Sequence, residues 1–78
     1  MSSISINIKL ETIEAVREFV DIVNRFEGDI TLSSGKYIVD AKSIMGIFSL
    51  DLRMPITMTV ESQMSDRVVE AVKKYAVK

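Results

Sequence analysis

The sequence predicts a two-layer α+β domain, with one four-stranded, largely antiparallel sheet covered by helices on a single face. Four stretches alternate apolar and polar residues at the period of a half-buried strand, and amphipathic helical repeats separate them. The wet positions of those strands are Ser, Thr, Asn and charged residues, whereas parallel strands buried on both faces would read as continuous apolar runs. Seventy-eight residues support one core only, so residues 1–78 form a single domain in the order β-α-β-β-α-β-α.

Ile4, Ile6, Ile8 and Leu10 alternate with Ser5, Asn7 and Lys9 and predict the first strand. From Ile13 the period changes: Ile13, Val16, Val20 and Val23 follow helical spacing, widened by Phe19 and Phe26, with Glu14, Arg17, Glu18, Asp21 and Arg25 opposite. Thr12 is the expected N-cap, Glu14 places negative charge in the first turn, and Gly28 offers a stop past Phe26 and Glu27. Asp21 and Arg25 form an i,i+4 pair.

Residues 29 to 41 read as a hairpin: Ile30 and Leu32 alternate, Ser34-Gly35 marks a turn, and Tyr37, Val39 and Ala41 resume opposite Ile38 and Asp40. Ser43 then caps a helix of two turns built from Ile44, Met45, Ile47, Phe48 and Leu50. Pro55 can open a strand, and Ile56, Met58 and Val60 alternate behind it. Ser65-Asp66 starts the last helix, with Met64, Val68, Val72 and Tyr75 on one stripe and Lys73, Lys74 and Lys78 at its negative end.

The composition excludes much site chemistry. There is no His and no Cys, hence no thiolate, no imidazole base and none of the usual transition-metal ligands. Ten Lys and Arg against eleven Asp and Glu lack the basic excess that binding a phosphate backbone requires, so nucleic acid is not an expected partner. No apolar run approaches the roughly 20 residues of a membrane span, and the opening residues lack a signal-peptide pattern. The expected localisation is cytoplasmic, with no membrane association, no metal and no cofactor.

Against that background the segment Lys42-Ser43-Ile44-Met45-Gly46-Ile47-Phe48-Ser49-Leu50 is the strongest candidate site. Ser43 as N-cap satisfies a free backbone N–H. Its place at a helix N-terminus also suits a phosphate, which would bring nearly two negative charges. Met45 and Phe48 lie three apart, and if exposed they form an adaptable apolar patch beside Ser43; the alternative is that both are core. Glu11, Glu14 and Glu18 are an acidic group of lower promise, since acidic residues commonly start helices.

The same segment, the hairpin before it and the element order resemble HPr, the histidine-containing phosphocarrier family of the bacterial sugar phosphotransferase system. From Thr12 to Leu50 the chain lies on the family pattern without a gap. The resemblance implies an open-faced β-sandwich, a four-stranded antiparallel sheet with three helices on one side. It also implies that Ser43 matches the serine regulated by an ATP-dependent kinase, and that Lys42, Met45 and Phe48 belong to a partner-binding surface. The partners implied are proteins, among them an HPr-type serine kinase and a transcriptional regulator.

The departure lies where the family has a phosphoacceptor histidine followed by Ala-Arg-Pro. Here stands Thr12-Ile13-Glu14-Ala15. Thr12 occupies the histidine position and Glu14 the arginine position, a degenerate phosphoacceptor site: a threonine phosphoester is a poor phosphoryl donor, and Glu14 repels an incoming phosphoryl group. The chain is thus similar to the histidine-less, catabolite-repression variant of the family. It is expected to be a non-catalytic regulatory binding module. The alternative is an interaction or structural domain on the same fold, which as a homo-oligomer would bury Met45 and Phe48.

Overall fold

The computed structural model describes residues 3–61 and 65–77. The elements are β1 (Ser3–Ile8), α1 (Ile13–Val23), β2 (Ile30–Ser34), β3 (Tyr37–Asp40), α2 (Ile44–Phe48), β4 (Ile56–Glu61) and α3 (Ser65–Val72), followed by a 3-10 turn at Lys73–Tyr75. They form one four-stranded sheet in the order β1-β4-β2-β3, and every pairing is antiparallel. The three helices and the sheet together make the predicted open-faced α+β sandwich. No described helix is long and apolar enough to cross a membrane.

The core lies between the sheet and the helices, and its members follow the two periodicities. Ile8, Ile30, Leu32, Ile56, Met58 and Val60 come from alternate strand positions, and Val16, Phe19, Val23, Ile47, Val68 and Val72 from the helix stripes. On the open face the polar side chains pair among themselves. Ser5 Oγ lies 3.0 Å from Thr59 Oγ1, and Thr57 Oγ1 donates to Asn7 Oδ1 at 3.1 Å.

Several details differ from the sequence expectation, among them β1, which ends at Ile8 before Leu10. Ile13 is 62% exposed and is not among the residues packed on the core; the stripe that finds partners begins one turn later at Val16. Helix α1 stops at Val23, well before Gly28. The Asn24 amide donates to the Val20 carbonyl at 2.8 Å, and the backbone N–H groups of Arg25 and Phe26 turn to carbonyls three residues back. Gly28, with φ of 100°, instead turns the loop toward β2.

In the hairpin Ser34 pairs with Tyr37, so the two-residue turn is Gly35-Lys36, with Gly35 at φ of 60°. Helix α2 is five residues long, shorter than two turns. Ser49 Oγ donates to the Gly46 carbonyl at 2.5 Å and the N–H groups of Ser49 and Leu50 bond three residues back, leaving Leu50 buried beyond the helix. Met64 and Lys78, expected on the α3 stripe and at its end, lie outside the described residues.

After the 3-10 turn the chain runs antiparallel to β1. Lys9 N–H donates to the Tyr75 carbonyl at 2.9 Å, Val77 N–H donates to the Asn7 carbonyl at 2.8 Å, and Ala76 bridges to Ile8. The C-terminal segment thereby closes part of the β1 edge.

Candidate functional site

Ser43 sits in extended backbone at the N-terminus of α2, and its Oγ accepts the Gly46 N–H at 3.2 Å. The residue itself is exposed. The segment leading into it is firmly held. Asp40 Oδ1 accepts Lys42 N–H at 2.9 Å, and the Asp40 carbonyl accepts Ser43 N–H at 3.0 Å. Downstream, Ile47 and Leu50 are buried and Ile44 packs against the core. Met45 is 76% exposed and Phe48 41%. A single-layer helix this short buries one side, and Ile47 anchors it; Met45 faces away, and Phe48 sits at the rim, partly covered.

Lys42, expected on the partner-binding surface, has its side chain held within its own chain. Its Nζ donates to the carbonyls of Phe26 at 2.5 Å and Gly28 at 3.2 Å, and the side chain is half-buried. Its charge closes the α1–β2 loop, and an exposed apolar pair remains beside Ser43. The reach of a lysine to carbonyls sixteen and fourteen positions back leaves no trace in local spacing.

At the degenerate position, Thr12 Oγ1 accepts Ala15 N–H at 2.9 Å and caps α1. Glu14 stands exposed in the first turn with no hydrogen-bond or ion-pair partner among the described residues. Two shallow clefts flank this end. One, of about 440 Å³, is lined by Lys9, Glu11, Leu52 and Arg53; the other, of about 560 Å³, includes Lys74, Tyr75 and Val77.

Each cation lining these clefts already faces a carboxylate. Lys9 pairs with Glu11 at 3.6 Å, Arg53 with Asp51 through Nε at 3.0 Å and Nη2 at 3.1 Å, and Lys74 with Glu18. The Arg53 fork holds the Asp51 carboxyl below its ordinary range, and Asp51 raises the guanidinium in return. The Lys74 ammonium and then the Tyr75 hydroxyl lower the Glu18 carboxyl.

Sequence reasoning missed this last network. Spacing groups Glu18 with Glu11 and Glu14, yet it belongs to Lys74 and Tyr75, and the Tyr75 ring also meets Phe19 edge-on at 6.1 Å between centroids. Among the described residues no group of three or more acidic side chains is placed to hold a metal ion.

The sheet order, the three-helix layer and the capped serine on the short second helix define the chain as a protein of the phosphocarrier fold class. The family model described as PTS HPr component phosphorylation site matches residues 12–77, and the chain belongs to the HPr family. It is similar to the phosphocarrier protein HPr of Bacillus anthracis, with 28% identity and a TM-score of 0.76 over 99% of this chain and 100% of that one. It is also similar to Crh, the catabolite repression HPr of Bacillus subtilis, with 27% identity and a TM-score of 0.68 over 99% and 98% of the two chains. A second Crh structure, described as a domain-swapped dimer, shares 25% identity and a TM-score of 0.67 over 91% of this chain and 88% of that one. No curated protein matches the chain.

Proposed function

We propose that this chain is a cytoplasmic regulatory member of the HPr family that binds protein partners and carries no phosphoryl group between enzymes. The family's phosphoacceptor chemistry needs an imidazole, and the chain contains no histidine. Thr12 at that position spends its hydroxyl on capping α1, Glu14 adds negative charge in the first turn, and the cations of the adjoining clefts are neutralised by Glu11, Asp51 and Glu18. A phosphoryl group arriving there meets no nucleophile suited to reversible transfer.

The observation that carries the positive half of the reading is the exposure of Met45 and Phe48 beside an exposed, capping Ser43. A thioether and an aromatic ring form an adaptable apolar contact, and such residues are enriched at protein interfaces. Phosphorylation of Ser43 by an HPr-type serine kinase is the switch. The phosphate adds charge at the edge of that contact, with the kinase and a transcriptional regulator as the partner classes the family suggests. Because Ser43 Oγ serves its helix as an acceptor, a phosphoserine oxygen can continue to cap while its charge faces outward.

Intact-mass measurement after incubation with ATP and an HPr-type serine kinase tests this directly. One added phosphate that Ser43→Ala abolishes is the expected result. An unmodified mass would reduce Ser43 to a cap and favour an interaction domain without a switch; an acid-labile phosphate on the wild-type chain would restore a carrier role.

A further inference from the structure

The sheet has two edges, and they are treated differently. The β1 edge is partly closed by the C-terminal segment through Lys9 and Val77, whereas β3 ends the sheet with nothing described beyond it. We propose that the β3 edge is a self-association surface, on which a second copy of this chain pairs its own β3 antiparallel about a two-fold axis through Ile38.

The backbone supplies the first argument. Ala41 N–H bonds to the Ile30 carbonyl, the next rung of the β2–β3 ladder, so Tyr37, Val39 and Ala41 direct their backbone groups inward. Ile38 and Asp40, alternating with them, direct theirs outward. An isologous antiparallel pair centred on Ile38 satisfies both Ile38 N–H and carbonyl groups at once, and brings Asp40 N–H to the partner strand.

The side chains supply the second, because this one register is complementary along β3 and at the turn before it. Lys36, in the turn that leads into β3, comes beside the partner's Asp40, and by symmetry Asp40 beside the partner's Lys36. Lys36 has no ion-pair partner among the described residues. Asp40 binds Lys42 N–H through Oδ1 only, so Oδ2 is available. Tyr37 falls opposite the partner's Val39, an aromatic and β-branched pair of the kind that stabilises antiparallel strands. Ile38 meets the partner's Ile38 on the open face, where its neighbour in register is Ser33. Tyr37 is 72% exposed and Ile38 70%, and the dimer gives both an apolar contact. A parallel pairing or a shift by one position would lose the opposed charges.

An edge of four residues is smaller than a standard protein interface, so the association is weak, with a dissociation constant on the order of 100 µM. Sedimentation equilibrium over a concentration series measures it. Ile38→Lys places like charges face to face and is expected to raise the dissociation constant about tenfold or more. Its far-UV circular dichroism should be unchanged, because the side chain is exposed.

The register is read by cross-linking, which the absence of native cysteine makes clean. Ile38→Cys should oxidise to a covalent dimer, since opposed hydrogen-bonded positions lie about 5.5 Å apart at Cα, within disulfide reach. Lys36→Cys, four positions from its own copy, should not. A chain that stays monomeric near 1 mM, about ten times the constant expected for so small an edge, overturns the proposal. So does a dimer indifferent to Ile38→Lys, formed by strand exchange or through Met45 and Phe48, or equal cross-linking of the two cysteine variants.

Discussion

The Tyr75 hydroxyl donates to the Glu18 carboxylate across 57 positions of sequence, and Lys74 pairs with the same carboxylate. These contacts fasten the 3-10 turn to α1, while Lys9 N–H to the Tyr75 carbonyl fastens it to β1. Tyr75 therefore joins the first helix, the first strand and the last turn. Its ring packs against the core through Phe19, and burial, followed by its bond to Glu18, raises its hydroxyl well above the ordinary value.

Tyr75→Phe is expected to keep the ring contact and lose the hydroxyl bond, lowering the Tm by a few degrees, whereas Tyr75→Ala also empties the packing against Phe19 and costs about 2 kcal/mol. The pH dependence has two arms. Glu18 has its folded value lowered, so its contribution is present above the ordinary carboxylate range and is lost as pH falls through the lower folded value. Tyr75 has its folded value raised, so its contribution is complete below the ordinary tyrosine value and fades as pH rises toward the folded one. Urea midpoints of wild type and Tyr75→Phe should therefore differ at pH 7 and converge in strong acid.

Thr12→Ala removes the acceptor for Ala15 N–H and is expected to cost about 1 kcal/mol by urea unfolding, while Thr12→Asp keeps an acceptor and suits the positive helix end. Thr12→His, incubated with the phosphotransferase system's first enzyme, should acquire no acid-labile phosphate while Glu14 stays. If the single substitution were phosphorylated efficiently, Glu14 would not be a block to phosphoryl transfer.

The strands, α1 and the capping residues were legible because their cause is local: period two or 3.6, a hydroxyl three positions before a free N–H, a proline that can only open a strand. Thr12, Ser43 and Pro55 all fall into this class. Ile13 was misread because periodicity marks a face without saying where the opposing layer ends. The early stop of α1 came from the Asn24 side chain, and the short α2 from Ser49, each an acceptor or donor competing with the helix ladder. Lys42 and Glu18 were illegible in principle, since their partners are distant in sequence. Of the candidate site, Ser43 was placed by spacing, but whether Met45 and Phe48 were core or surface required the sheet beneath Ile47.

Gly46 faces β3 at close range: a Cβ built on it would lie 3.2 Å from Val39 Cβ and 3.4 Å from Ser43 Oγ. Alanine gains helix propensity but must displace a strand-bound β carbon and crowd the cap. Overpacking exceeds the propensity gain, so Gly46→Ala is expected to destabilise by about 1 kcal/mol in urea unfolding.

Lys42→Met keeps most of the stem's packing and leaves the carbonyls of Phe26 and Gly28 without the ammonium. The expected cost is about 1–2 kcal/mol, and amide exchange should quicken first in the loop between α1 and β2. A variant as stable as wild type would return Lys42 to the list of residues free to meet a partner.

Met45 and Phe48 separate docking from folding. Met45 projects into solvent, so Met45→Lys should change stability by no more than about 0.5 kcal/mol. Phe48 is partly covered, and Phe48→Ser should cost about 1 kcal/mol, leaving a folded chain. Both substitutions replace an apolar contact by a polar group at the centre of the proposed docking face, where truncation of a central anchor commonly weakens binding by tenfold or more. Titration of each variant against the serine kinase, followed by calorimetry, should show loss of affinity with little loss of Tm. Retained affinity in both would move the docking surface away from α2.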